Sequence, residues 1–217
     1  MAPRELIRAD EHVFIAGRTG SGKTWLARKY LAGYRNVVAL DTKGTLAWPE
    51  AGPELATVTR LSELGGVKGG RVIYRPVFEE LNLESYDRFF SWAYLRGDTI
   101  VWVDELMSVA PGPLKMPESY RACLTRGRER RVAVWSLTQR PSGVPLVALS
   151  EATHVFAFDL TLEDDRKRLV SATGQKEFFE RPGRYAFWYY DMTGQGAPAR
   201  GRVVSGRPAL TARAAQA

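Results

Sequence analysis

The chain has 217 residues, 45% of them hydrophobic, which is enough for one substantial core and too little for two catalytic domains. Its single cysteine, Cys123, excludes an internal disulfide, and its two distant histidines, His12 and His154, offer no zinc-ligand spacing, so any metal chemistry must use oxygen ligands. A formal charge of +7 suits a polyanionic partner, while the absence of a bilayer-length apolar run and of a secretory hydrophobic centre in the first ten residues leads us to expect a protein of the cell interior.

The first predicted strand covers residues 12–16 and runs into Gly17-Arg18-Thr19-Gly20-Ser21-Gly22-Lys23-Thr24. That is the phosphate-loop pattern in its proper setting, after an apolar strand and at the start of a helix expected over 23–31 and stopped by Gly33. Glycines let successive backbone N–H groups wrap phosphate oxygens, and the helix N-terminus adds positive potential. Lys23 is expected to reach the β- and γ-phosphates of ATP, and Thr24 to offer its hydroxyl to Mg2+. Arg18, in the usual shape of such a loop, faces away from the phosphates.

A second strand over 36–41 ends in Asp41-Thr42-Lys43-Gly44, and a third spans 71–75. Residues 84–95 read as a helix whose aromatic stripe, Tyr86, Phe89, Phe90 and Tyr94, belongs to the core. The strand over 99–104 closes on Asp104-Glu105. Asp104 is placed to hold Mg2+ with Thr24, and Glu105 to take a proton from the attacking water. A helix with Pro117 in its first position reaches about Arg126, and the strand over 132–138 leads into Gln139-Arg140-Pro141. In P-loop ATPases with an additional strand, that strand inserts beside the phosphate-loop strand, so Gln139 is expected at the γ-phosphate.

The remaining elements are a strand over 153–159, a helix capped by Thr161 and ended by Gly174, and a strand over 184–190. The strands are near-continuous apolar runs, as strands covered on both faces should be. Together these predict an α/β fold of RecA-like type, an additional-strand, catalytic-glutamate P-loop NTPase with a central, mostly parallel sheet flanked by helices. The ATPase domain is assigned to residues 1–195. Residues 196–217 turn to Gly, Ala, Pro and Arg, including Arg200, Arg202, Arg207 and Arg213, and are expected to be a flexible basic tail whose loss would leave the fold untouched.

From His12 to about Tyr190 the chain resembles the FtsK/HerA superfamily of DNA pumps, and within it the compact viral genome-packaging ATPases. The resemblance rests on the phosphate loop, Asp41-Thr42-Lys43-Gly44, Asp104-Glu105, Leu124-Thr125-Arg126-Gly127-Arg128-Glu129 and Trp135-Ser136-Leu137-Thr138-Gln139-Arg140-Pro141. It implies a homo-oligomeric ring, pentamer or hexamer, that hydrolyses ATP at subunit interfaces and pulls double-stranded DNA through its centre. It also implies that Arg126 or Arg128 reaches a neighbour's site, that capsid or portal-vertex proteins are partners, and that the protein works in the host cytoplasm or on the virion or procapsid. The alternatives are a P-loop ATPase for assembly or export and a small P-loop kinase. Glu105 beside Asp104, and Gln139 on the next strand, weigh against the kinase.

Overall fold

Ten strands form one sheet among the residues that the structure, a computed structural model, describes: 7–194, 196–204 and 207–211. Seven are parallel: β1 (Val13–Ala16), β2 (Val37–Leu40), β3 (Leu55–Val58), β4 (Arg71–Tyr74), β5 (Thr99–Val103), β6 (Val132–Thr138) and β7 (His154–Phe158). Three more, β8 (Ala186–Asp191), β9 (Ala199–Val204) and β10 (Arg207–Thr211), add antiparallel at one edge. The order is β10-β9-β8-β7-β1-β6-β5-β2-β4-β3. The helices are α1 (Lys23–Leu31), α2 (Leu83–Arg96), α3 (Leu106–Val109), α4 (Glu118–Arg126), α5 (Val147–Ser150) and α6 (Glu163–Thr173).

Alternation along the parallel strands divides the core into two layers. Val13 and Ile15 of β1 and Ala133, Trp135 and Leu137 of β6 pack with Leu26, Ala27, Tyr30 and Leu31 of α1. Phe14 and Ala16, with Val132 and Val134, face α2 and α4 through Phe89, Phe90, Tyr120 and Leu124. Both parities are buried, which is why these strands read as unbroken apolar runs. The aromatic stripe of α2 is core: Phe89 stacks on Tyr74 at 5.3 Å between ring centroids, and Phe90 meets Tyr120 at 5.0 Å.

Several local expectations are corrected. Pro117 is the N-cap of α4 rather than its first helical residue. Thr161 does not cap α6, which starts one residue after Leu162 without a side-chain cap. The buried Asp165 in its first turn instead accepts from Ser142 N at 3.0 Å and from Arg140 Nε at 2.9 Å, tying the helix to the loop after β6. α1, by contrast, spans Lys23–Leu31 as expected and ends just before Gly33. β3 escaped the sequence reading because only Val58 of its four residues is buried.

The largest correction concerns the tail. Residues 199–204 pair with β8, and residues 207–211 pair with β9. Gly201 stands opposite Phe187, and a Cβ at this position would lie 2.4 Å from that ring, so the strand fits its neighbour only because position 201 is glycine. Removing the chain after Gly196 would therefore remove part of the sheet. Residues 212–217 of the expected tail lie outside the described residues.

Candidate active site

The phosphate loop is strapped between two strand tips. Gly17 N donates to Thr138 O at the end of β6 (3.1 Å), and Arg18 N to Asp159 O just past β7 (3.0 Å). A Cβ on Gly17 would come within 2.5 Å of the Phe158 Cβ, and Gly22, the N-cap of α1, has φ 112°. Both positions demand glycine. The N-terminus of α1 therefore opens directly into the loop.

Lys23 is buried, and its Nζ donates to Gly17 O at 2.6 Å and Arg18 O at 3.1 Å. Burial pushes the ammonium down to about 8, against the pull of Glu105 and Asp104, so it remains largely cationic at neutral pH. Ser21 Oγ is buried without a hydrogen-bond partner. A buried cation, a helix N-terminus and an orphan hydroxyl at one place form a donor set that fits phosphate oxygens. Thr19 Oγ1 donates to Gln139 Oε1 at 2.7 Å, and Arg18 has its Nε on Asp159 at 3.0 Å. Arg181 also forks onto Asp159, at 2.6 and 2.7 Å, and holds its carboxyl below the usual range.

The acids stand at the tip of β5. Thr24 Oγ1 donates to Asp104 Oδ1 at 2.9 Å. Burial pushes the Asp104 carboxyl up, and the Thr24 hydroxyl with the charges of Lys23 and Lys43 opposes that shift. Among the described residues no group of three His, Cys, Asp or Glu could hold a metal by itself. The Thr24–Asp104 oxygen pair fits Mg2+, an ion commonly bound by one or two protein oxygens together with phosphates.

Glu105 is buried, and both of its neighbours bind one oxygen: Gln139 Nε2 donates to Oε2 at 2.7 Å and Lys43 Nζ at 2.8 Å. Oε1 is buried with no hydrogen-bond partner. Because β6 lies between β1 and β5, Gln139 stands between the loop and the acids. A chain of contacts, Thr19 to Gln139 to Glu105 to Lys43, thus joins the loop to the tips of β6, β5 and β2.

Lys43 joins the site, although nothing in its sequence context marked it beyond its place in a tetrapeptide at a strand end. Its loop is shaped by the buried Asp41, which accepts from Leu46 N at 2.9 Å, Thr45 N at 3.2 Å and Arg75 Nε at 3.0 Å. Arg184 and Tyr185 were also missed. They line a cleft of about 300 Å3 with Arg18, Gly20 and Ser21, and no pattern in the sequence signals them. Arg126 and Arg128 are not brought to the loop. They are exposed at the end of α4 and in the 3-10 turn after it, beside the start of β6 and near His12, at the opposite ends of the strands from Gln139.

No protein-family model matches the sequence, and no curated protein matches it. Solved structures do match in fold. The genome packaging NTPase B204 from Sulfolobus turreted icosahedral virus 2, in complex with AMPPCP, superposes with a TM-score of 0.71 at 17% identity, covering 88% of this chain and 96% of that one. The DNA-packaging ATPase B204 from Sulfolobus turreted icosahedral virus gives 0.69 at 20% identity, covering 86% and 95%. The cytoplasmic domain of the type VII secretion ATPase EccC from Thermomonospora curvata gives 0.57 at 17%, covering 90% of this chain and 26% of that one. The chain has the P-loop NTPase fold of these proteins, with β6 inserted between β1 and β5, as its resemblance to the FtsK/HerA superfamily implied.

Proposed function

We propose that this chain is an ATPase that drives double-stranded DNA translocation as a viral genome-packaging motor, acting in a homo-oligomeric ring. The observation that carries the hydrolytic half is the Glu105–Gln139 hydrogen bond beside the phosphate loop. Lys23 and the loop amides hold the β- and γ-phosphates, and Thr24 and Asp104 would hold Mg2+, which when bound neutralises phosphate charge. Gln139 orients a water, and Glu105 Oε1, the carboxylate oxygen without a partner, takes its proton. The water oxygen bonds to the γ-phosphorus as the bond to the β,γ-bridging oxygen breaks, and ADP leaves with that oxygen.

The DNA half is supported by the fold shared over nearly the whole length of the packaging NTPases, by the charge of +7, and by the antiparallel edge. There Arg184, Arg200 and Arg202 line a cleft of about 420 Å3 with no acidic side chain among the described residues that line it. The ring reading, with Arg126 or Arg128 completing a neighbour's site, is supported by their exposure far from this chain's own loop. Capsid or portal-vertex proteins would dock such a ring in the host cytoplasm or on the procapsid.

The test is turnover with and without duplex DNA. Lys23→Ala should abolish hydrolysis. Glu105→Gln should bind ATP normally and turn over about 10² to 10⁴ times more slowly. Mixing Lys23→Ala subunits with subunits lacking Arg126 and Arg128 should restore part of the activity, since arginine fingers contribute about 10³ to 10⁵ in rate. Turnover indifferent to DNA would favour an assembly or export ATPase, and phosphoryl transfer to a small acceptor would favour a kinase. A Glu105→Gln enzyme within a few-fold of wild type would remove the assigned base.

A further inference from the structure

We infer that Lys43 is a positioning residue for hydrolysis: it pins one oxygen of Glu105 so that the other is presented to the attacking water. The inference rests on the reading of Glu105 as the base and goes beyond it by giving the tip of β2 a part in the reaction.

The geometry divides the carboxylate into two unlike oxygens. Oε2 receives both Lys43 Nζ, at 2.8 Å, and Gln139 Nε2, at 2.7 Å. Oε1 receives nothing, although it is buried. A buried acceptor left without a donor is costly, and such groups concentrate where a substrate or water completes them. Two donors on Oε2 fix the plane of the carboxylate, because rotating the group would exchange a doubly bonded oxygen for a bare one. Gln139 alone would leave that rotation open, since its amide can follow. The ammonium supplies a charge-assisted bond, roughly twice as strong as a neutral one.

Lys43 is itself held in place. Asp41, two residues earlier, is buried and fastened by Leu46 N and by Arg75, which fixes the turn from which Lys43 reaches across to β5. β2 is the direct neighbour of β5, so the Lys43–Glu105 contact bridges adjacent strand tips. The lysine is nonetheless partly open, with 43% of its side chain exposed, against 7% for Glu105. Its removal leaves no cavity in the core, and the variant should fold. A purely structural reading gives Lys43 the task of neutralising a buried carboxylate. The two readings differ in what happens when the carboxylate is already neutral.

The experiment measures single-turnover ATP hydrolysis and ATP affinity for Lys43→Met, Lys43→Arg, Glu105→Gln and the double variant Lys43→Met with Glu105→Gln. Lys43→Met should lower the rate about 10- to 100-fold, below the loss expected for the base itself, with ATP affinity within about threefold of wild type. Lys43→Arg, which can still donate to Oε2, should recover most of the rate. In the Glu105→Gln background the Lys43→Met change should cost nothing further, because the group it positions no longer takes a proton. Three outcomes overturn the proposal: Lys43→Met within twofold of wild type, rate losses that multiply in the double variant, or a tenfold loss of ATP affinity, which would place the ammonium on the phosphates. A Glu105→Gln enzyme that still turns over would instead show that the reading of the base had failed.

Discussion

The seven parallel strands and the three antiparallel strands beside them are built by different rules. In the parallel block both faces of each central strand are covered, by α1 on one side and by α2 and α4 on the other, and the polar groups gather at the strand tips. There Lys23, Asp104, Glu105 and Gln139 are held by one another and by the loop. At the antiparallel edge, Gly201 of β9 turns inward against Phe187 while Arg200 and Arg202 are exposed. Burial on two sides makes a precise site, and burial on one side leaves a charged surface. The buried side chains at the strand tips and the exposed arginines thus belong to differently built parts of one sheet.

The first way to test the block is through His12, at the start of β1, whose Nδ1 accepts from Val134 N of β6 at 2.9 Å. Burial, with the charge of Arg128, pushes this histidine from 6.5 to about 4. The folded state thus binds the proton less readily than the unfolded one. The stability from neutral His12 is fully present above about 6.5 and is lost as pH falls from 6.5 toward 4. We expect a loss of about 3 kcal/mol over that window that His12→Asn does not show. Denaturant unfolding of both proteins across that range measures it, and identical pH profiles would break the claim that the block is tightly closed at that end.

A second test asks whether the edge is a true part of the sheet. Gly201→Val forces a branched side chain into the Phe187 ring and should destabilise by about 1 to 3 kcal/mol. Unchanged thermal unfolding would mean that β9 does not dock there, and the tail reading would return.

The third and smallest effect sharpens the separation of roles. Arg202→Gln should weaken duplex DNA binding and flatten the dependence of log affinity on log salt by about 1, with the DNA-free ATPase rate unchanged. A drop in the basal rate with the salt slope intact would tie the edge to the nucleotide site instead.

The sequence by itself determined six of the seven parallel strands and which of their tips carry the expected site residues. Local rules sufficed there: two-sided burial gives unbroken apolar runs, and an apolar run ending in a glycine loop or an acid pair fixes which tips carry Lys23, Thr24, Asp104 and Glu105. Gln139 was legible only through the order of strands in a known group, and the inserted β6 puts it in that place. What tertiary structure alone decided are contacts between residues far apart in the chain. Lys43 meets Glu105 because β2 lies beside β5, and neither residue carries a local mark of the other. Arg126 and Arg128 lie at the far ends of the strands because β6 runs from them toward Gln139, a direction that spacing does not reveal. β9 was hidden because its sequence alternates arginine with small residues, and a strand of that composition is stabilised by the aromatic ring it lies against rather than by its own side chains.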